Sequence, residues 1–137
     1  MMESISFRQL QVVEDQLLQI RDAIRNLQTW NAELTSADDL SKSPEGMKTL
    51  AADCMLIEAI GEGIRRIDER TMGRLLPNRP EIPWQEVKGM RDHIAHGYFD
   101  INTDLVWDVI ANDLSPLLSA IEYFIKHLYA LVPIDEE

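Results

Sequence analysis

Apolar residues recur at intervals of three and four along most of this chain, and this spacing limits what it can fold into. Between Phe7 and Leu27 the successive intervals are 3, 3, 4, 3, 4 and 3 residues, which places the side chains on one face of a helix. The residues in this pattern are Phe7, Leu10, Val13, Leu17, Ile20, Ile24 and Leu27. No segment shows the alternation of a half-buried strand. The sequence therefore predicts an all-α protein, with a first helix over residues 5 to 33.

A second long helix is predicted after a polar connecting segment. In that segment Ser36 and the two aspartates that follow it fit either a loop or one short capped helical turn. Ser43 then supplies an N-cap and Pro44 a first helical position, and the helix should run to about Arg70. Its apolar stripe consists of Met47, Leu50, Cys54, Ile57, Gly61 and Ile64. At Gly61 the missing side chain would let another backbone approach closely.

Two more helices are predicted beyond the connector "GRLLPNRPEIP". The third should start near Trp84 and end at Gly97, a residue type suited to helix termini. Its inward-facing residues are Val87, Met90 and Ile94. The fourth should begin at a cap formed by Asn102 or Thr103, and Pro116 should kink or split it because proline lacks a backbone donor. Its apolar positions are Leu105, Val109, Leu117, Ile121, Phe124, Ile125 and Leu128.

Length and charge limit the architecture and its partners. At 137 residues the chain suffices for one domain, residues 1 to 137, and we expect an up-and-down bundle of four to five helices. Thirteen basic and 24 acidic residues give a net charge of −11, so nucleic acid is repelled overall. Residues 65 to 91 nevertheless contain seven basic and four acidic side chains, so this region can hold a polyanion locally.

Neither export nor membrane insertion is expected. The chain has no run of about 18 uncharged apolar residues, and its first residues lack the basic flank and apolar stretch of a signal peptide. We therefore expect a cytoplasmic protein without membrane partners. The single cysteine, Cys54, cannot form an intramolecular disulfide and fits a small core residue.

The segment "RDHIAHGYFD", residues 91 to 100, concentrates polar chemistry at the predicted end of the third helix. At about 100° per residue, His96 points away from the core face, whereas Arg91 and Tyr98 share an edge of that face. Asp92 and His96 are four residues apart, so the carboxylate could orient the imidazole. Because Arg91 and His96 diverge by about 140° on one helix, a second copy of the chain is needed to bring an arginine and a histidine together.

Two copies packed about a two-fold axis would gather two arginines and two histidines in one cleft. One histidine can take the proton of an RNA 2′-hydroxyl, the other can protonate the leaving 5′-oxygen, and the arginines can stabilise the phosphorane without a metal. Other interpretations stay open at this point. They are a helix-end role for His96 near the C-terminal dipole, nucleotide binding in the same cleft, and core packing for Tyr98.

Metal binding is disfavoured by the residues available. His93 and His96 with Asp92 beside them could be ligands, but no further cluster of cysteine or histidine completes a site. Glu58 and Glu62 lack the Glu-x-x-His motifs of a di-iron bundle. We therefore expect no metal and no cofactor, and we expect Glu62 to cap a helix or to pair across helices, with an arginine near the motif as one candidate.

The form R-x4-H-x-Y in "RDHIAHGYF" resembles the signature of HEPN-domain proteins, specifically the HepT-like toxins that pair with a minimal nucleotidyltransferase antitoxin. Three further segments resemble that family in the same order: "IEAIGEGIRRI", "EIPWQEVKGMRD" and "VWDVIANDLSPL". Together the four segments cover about residues 45 to 120.

The resemblance implies a homodimeric helical bundle whose paired motifs form a ribonuclease site for RNA at the dimer interface. Arg91 and His96 would be catalytic, and Asp92 would fill the polar position after the arginine, where the family often has asparagine. Tyr98 would be the motif tyrosine that an MntA-like nucleotidyltransferase antitoxin adenylylates, which blocks RNA from the site. The family has no fixed residue that matches His93. The alternative is a non-catalytic HEPN module that binds a nucleotidyltransferase partner or a nucleotide.

Overall fold

The computed structural model describes residues 5 to 97 and 99 to 134, and within these residues the fold is almost entirely helical. The α-helices are α1 (Phe7–Trp30), α2 (Pro44–Arg70), α3 (Trp84–Lys88), α4 (Met90–Ile94), α5 (Thr103–Asp108) and α6 (Leu114–Leu131). Short 3₁₀ turns occupy Ala37–Leu40 and Leu76–Asn78, and a π turn occupies Val109–Asp113. The all-α prediction is therefore confirmed. No helix in the described part of the chain is both long and apolar enough to cross a membrane.

The beginnings of the two longest helices follow from local capping. A capping box at Ser6 starts α1, which spans 24 residues and is shorter than predicted. The hydroxyl of Ser43 accepts a hydrogen bond from the Gly46 amide at 2.9 Å, and Pro44 occupies the first position of α2. Of the two alternatives for the segment after Ser36, the structure has the short turn rather than a loop.

The core lies where α1 packs against both α2 and α6. Most of the predicted apolar positions are buried there, and Ile125 is partly buried. Three others are exposed: Phe7, Met47 and Leu105, at 53%, 52% and 39%. All three stand in the first turn of their helices, where fewer neighbouring elements cover the apolar stripe. Cys54 is only partly buried.

Gly61 marks the place where α2 and α3 approach most closely, as the sequence predicted. A Cβ atom built on Gly61 would lie 2.9 Å from the carbonyl oxygen of Val87. Beside this contact the Arg65 guanidinium donates to the Lys88 carbonyl at 3.0 Å, and the Lys88 ammonium contacts Asp68 at 2.6 Å. These contacts fix the end of α3 against α2, directly before the motif segment.

The predicted third helix is wrong in its continuity and its end. Gly89 separates α3 from α4, and α4 ends at Ile94 rather than at Gly97. Ala95 is extended and forms an isolated antiparallel bridge with Ile101, while the Asn102 amide donates to the Ile94 carbonyl at 2.7 Å. The returning chain therefore takes the hydrogen bond that the next helical turn would have made.

The break before α6 follows from Pro116. A proline ring clashes with the carbonyl group four residues earlier, here residue 112, and removes a hydrogen bond from the helix. The π turn Val109–Asp113 contains that residue and joins α5 to α6 without interrupting the helical path. The predicted split is thus present as a local change of helix type. The predicted cap is confirmed too, because Asn102 Oδ1 accepts from the Leu105 amide at 3.1 Å.

Candidate active site

Arg91 stands in the first turn of α4 and reaches across to α2. Its Nη1 lies 3.3 Å from Oε1 of Glu58. Both side chains are exposed, the arginine at 69% and the glutamate at 50%. The carboxylate that meets the motif arginine is therefore Glu58. Glu62, which was the predicted candidate, contacts Arg65 and Arg66 of its own helix at 3.7 and 4.0 Å.

His96 lies outside the helix, because α4 ends two residues before it. Its backbone amide donates to the Asp100 carbonyl at 3.3 Å, so the backbones of these two residues lie close together. The predicted pairing with Asp92 at helical spacing is therefore wrong. The imidazole is exposed and makes no hydrogen bond or ion pair within the described residues. It is open to whatever approaches this surface.

A groove of about 810 Å³ runs between α1, α2 and the segment from α4 to Ile101. Its lining is mainly apolar and includes Ile20, Ala51, Cys54, Met55, Ala59 and Ile94. Charged residues of both signs, Glu58, Glu62, Arg66 and Arg91, stand along it. Gly97 also lines this groove, whereas His96 does not. One protomer therefore does not gather the arginine and the histidine into a single lining. The reason is that His96 lies beyond the end of α4, not the divergence on one helix that the sequence predicted.

Cys54 is part of the groove but is not a nucleophile of this site. Burial raises the pKa of its thiol to about 11, and the negative charges of Asp53 and Glu58 act in the same direction. The thiolate is the reactive form of cysteine, so this side chain stays protonated and serves as packing.

His93 belongs to a different surface. It lines a second groove of about 630 Å³ between α3, α4 and the start of α6, together with Glu86, Asp108 and Asp113. Burial raises the pKa of Asp113, and the charges of Asp108 and Glu86 raise it further. The two motif histidines therefore face different neighbours. Within the described residues no cluster of three or more histidine, cysteine or acidic side chains could hold a metal ion.

The predicted role of Tyr98 falls on a residue outside the described ones. Its neighbour Phe99 is 97% exposed, which the sequence analysis did not single out. Glu58 was considered there only as a metal ligand. A signal for Glu58 does exist in the sequence, since it lies one helical turn before Gly61 on the side of α2 where another backbone was expected to approach.

The helical fold, with Arg91 in a short helix and His96 just beyond its end, fits the HEPN resemblance seen in the sequence. The family model described as Ribonuclease HepT-like matches residues 8–124, and the chain belongs to this family. The match covers all of α1 except its first residue, all of α2 to α5, and more than half of α6.

Two relatives illustrate the similarity. "Probable ribonuclease HepT" of Thermococcus cleftensis is 31% identical over 109 residues, which are 80% of this chain and 92% of that protein. A protein of Methanocaldococcus jannaschii provisionally named RNase MJ0127 is 31% identical over 81 residues, 59% of this chain and 64% of the relative. The aligned part thus spans just under two thirds of the Methanocaldococcus protein. No solved structure matches the chain significantly.

Proposed function

We propose that this protein is an RNA endonuclease toxin, active as a homodimer, with a composite site built from Arg91 and His96 of both protomers. The observation that carries the proposal is the placement of His96 on an exposed turn, with its imidazole unpartnered among the described residues. The ribonuclease names of the relatives support the substrate class. One His96 from each protomer would supply the base and the acid that the reaction needs.

The proposed reaction is an internal transfer within the RNA. One His96 removes the proton from the 2′-hydroxyl, and the 2′-oxygen forms a bond to phosphorus. The bond from phosphorus to the 5′-oxygen breaks, and the second His96 gives that oxygen a proton. Positive charge from Arg91 stabilises the phosphorane oxygens as negative charge develops on them. The products are a 2′,3′-cyclic phosphate and a free 5′-hydroxyl.

The ion pair with Glu58 positions Arg91 but binds it weakly. An exposed ion pair of this kind contributes about 0–1 kcal/mol to stability, and a phosphate offers the guanidinium a bidentate partner. Arg91 can therefore exchange the carboxylate for RNA at little cost. Because the chain carries a net charge of −11, it repels a long polyanion. We therefore expect it to contact a few nucleotides of single-stranded RNA rather than a long duplex.

The test is cleavage of a single-stranded RNA by the purified protein in the presence of excess EDTA. We expect cleavage at an undiminished rate and products that end in a 2′,3′-cyclic phosphate, identified by mass spectrometry of the fragments. RNA with a 2′-deoxy sugar at the cut position is the matched control and should stay intact. Cleavage that requires Mg²⁺ would contradict the mechanism, and an intact dimer without any cleavage would favour the non-catalytic interaction module.

We further propose, from the family resemblance, that an MntA-like nucleotidyltransferase antitoxin neutralises the protein by adenylylating Tyr98. Tyr98 stands in the chain between Gly97, which lines the groove with Arg91, and the exposed Phe99. An AMP group on it would add a phosphate and a base to the motif segment that also carries His96.

This modification can be checked by mass spectrometry after co-expression with such an enzyme. We expect the mass of AMP on the peptide that contains Tyr98, and we expect Tyr98→Phe to remain unmodified and toxic. Tyr129→Phe serves as the control because Tyr129 lies in α6, where its hydroxyl bonds Glu14 at 3.2 Å. AMP found only on other residues would exclude this mode of neutralisation.

A further inference from the structure

Phe99 is the most exposed large apolar side chain among the described residues, at 97%. An aromatic side chain of this size gains substantially from leaving water. It stands in the turn between the bridge residues Ala95 and Ile101, and both of these residues line the 810 Å³ groove. The exposed Phe99 side chain, which we call the knob, and the groove are therefore neighbours on one face of the protomer. Phe99 does not line the groove of its own protomer.

The groove has the right chemistry to receive an aromatic ring. Its lining includes small or flexible apolar side chains, among them Ala51, Ala59 and Met55. Met55 itself is 73% exposed, so apolar surface is left open on both the knob and the groove. The volume of about 810 Å³ is more than one ring needs, which leaves room for the backbone that carries it.

We propose that Phe99 of each protomer inserts into the groove of the other, and that this reciprocal insertion forms the homodimer. The inference rests on the homodimer of the proposed function and names the surface that builds it. A knob beside a groove is self-complementary about a two-fold axis that passes near the turn, because the same rotation places each knob over the opposite groove. Charges of both signs, Glu58, Glu62, Arg66 and Arg91, flank the groove and are brought to face the same set on the partner.

The insertion also explains how a composite site is closed. His96 precedes Phe99 by three residues, so their Cα atoms are at most about 11 Å apart. Arg91 lines the groove that receives the ring. Docking Phe99 therefore carries His96 of one protomer toward the partner's Arg91, whereas within one protomer His96 does not line the groove with Arg91. Phe99 is thus a positioning residue for the catalytic pair.

Sedimentation equilibrium of three variants tests the interface without using RNA. Phe99→Ala removes the knob, and Ala59→Arg fills the groove from an exposed position of α2 without adding apolar surface. Each should weaken dimerisation by at least about 100-fold, because two insertions are lost and each contributes at least about tenfold. Phe7→Ala is the matched control: Phe7 is 53% exposed but packs on Tyr129, away from the groove. It should dimerise like the unaltered chain.

Mixing the two defective variants gives a sharper result. The Phe99→Ala chain keeps its groove and the Ala59→Arg chain keeps its knob, so their heterodimer retains one of the two insertions. Native mass spectrometry of the mixture should show the heterodimer at concentrations where neither variant dimerises alone. A heterodimer no more abundant than the two homodimers would overturn the proposal, as would an unaltered chain that is monomeric.

The inference and the proposed function fail in different ways. If Phe99→Ala still dimerises and cleaves RNA like the unaltered chain, the knob-and-groove interface is wrong and the ribonuclease remains. If dimerisation depends on Phe99 but the unaltered dimer never cleaves RNA, the interface stands and the ribonuclease does not.

Discussion

Replacing His96 with alanine is expected to slow RNA cleavage by about 10²–10⁴-fold, the range that a general acid or base contributes. The fold should be unaffected, because the side chain is exposed and the turn is held by its backbone amide, which donates to the Asp100 carbonyl at 3.3 Å. Cleavage rates measured under single-turnover conditions, with enzyme in excess over RNA, separate this loss from a change in binding.

His93→Ala is the matched control for this experiment. His93 is an exposed histidine three residues earlier, but it lines the second groove with Glu86, Asp108 and Asp113 rather than the groove of Arg91. We expect cleavage within about twofold of the unaltered chain. An equal loss in both variants would mean that the motif contributes only local charge, and unchanged cleavage by His96→Ala would remove the catalytic assignment.

Mixed dimers distinguish a shared site from two independent ones. If both His96 side chains act in one cleft, a dimer with one His96→Ala protomer is inactive. At constant total protein and full exchange, activity should then fall as the square of the unaltered fraction, to about one quarter in an equal mixture. A linear fall to about one half would show that each protomer acts alone, contrary to the acid and base roles proposed here.

The long helices were predictable because their determinants are local. Ser43 and Pro44 mark the start of α2 through a cap and a fixed backbone angle, and the apolar spacing identifies the buried face. Gly61 was predictable for a similar reason, since a glycine on an apolar stripe has few functions other than close approach. The apolar positions that the spacing wrongly predicted to be buried lie in the first turns of their helices. The apolar spacing continues into these turns, but fewer neighbouring elements cover them.

The geometry of the candidate site was less predictable because it depends on contacts between distant segments. Helical propensity alone extends the third helix to Gly97, but the bridge between Ala95 and Ile101 and the bond from Asn102 to Ile94 end it earlier. Likewise the pairing of Arg91 with Glu58 depends on how α4 docks on α2. The motif residues could be named as candidates from the sequence, while their arrangement required the tertiary fold.

The buried carboxyl group of Asp53 is expected to make the stability of the fold depend on pH. It is fully buried, and its Oδ1 accepts from Asn31 Nδ2 at 2.8 Å. Asp53 Oδ2 and Asn31 Oδ1 are both buried without a hydrogen-bond partner among the described residues. Neither oxygen of a carboxylate can donate a hydrogen bond, whereas a protonated carboxyl group gains a donor at Oδ2. The unsatisfied pair therefore favours the neutral acid.

The sign of the effect follows from the pKa of this carboxyl group. Burial raises it from 3.8 to about 6, and the hydrogen bond from Asn31 offsets only part of that rise. The folded state therefore binds the proton more tightly than the unfolded state does. Stability from this group is complete below about pH 3.8 and is lost as the pH rises through about 6. A pKa difference of this size corresponds to about 3 kcal/mol at neutral pH.

Asp53→Asn should recover much of that loss. Its Oδ1 can still accept from Asn31, and its Nδ2 replaces the unpartnered oxygen with a donor for Asn31 Oδ1. By urea unfolding at pH 7.5 we expect the variant to be about 1–3 kcal/mol more stable than the unaltered chain. Well below pH 3.8 the difference should vanish, because the carboxyl group is then neutral in both the folded and the unfolded state. Exposed Asp15→Asn, on α1, is the control and should show no such pH-dependent difference.

Comparing the two variants at each pH cancels the general effect of acid on a chain with net charge −11, since Asp53→Asn and Asp15→Asn remove the same charge. Only burial distinguishes them. If Asp53→Asn were less stable at every pH, the carboxylate must be charged and paired in the folded state. The residues around Asp53 would then have to donate a hydrogen bond to Oδ2. The carboxyl group that bonds Asn31 would be charged rather than neutral.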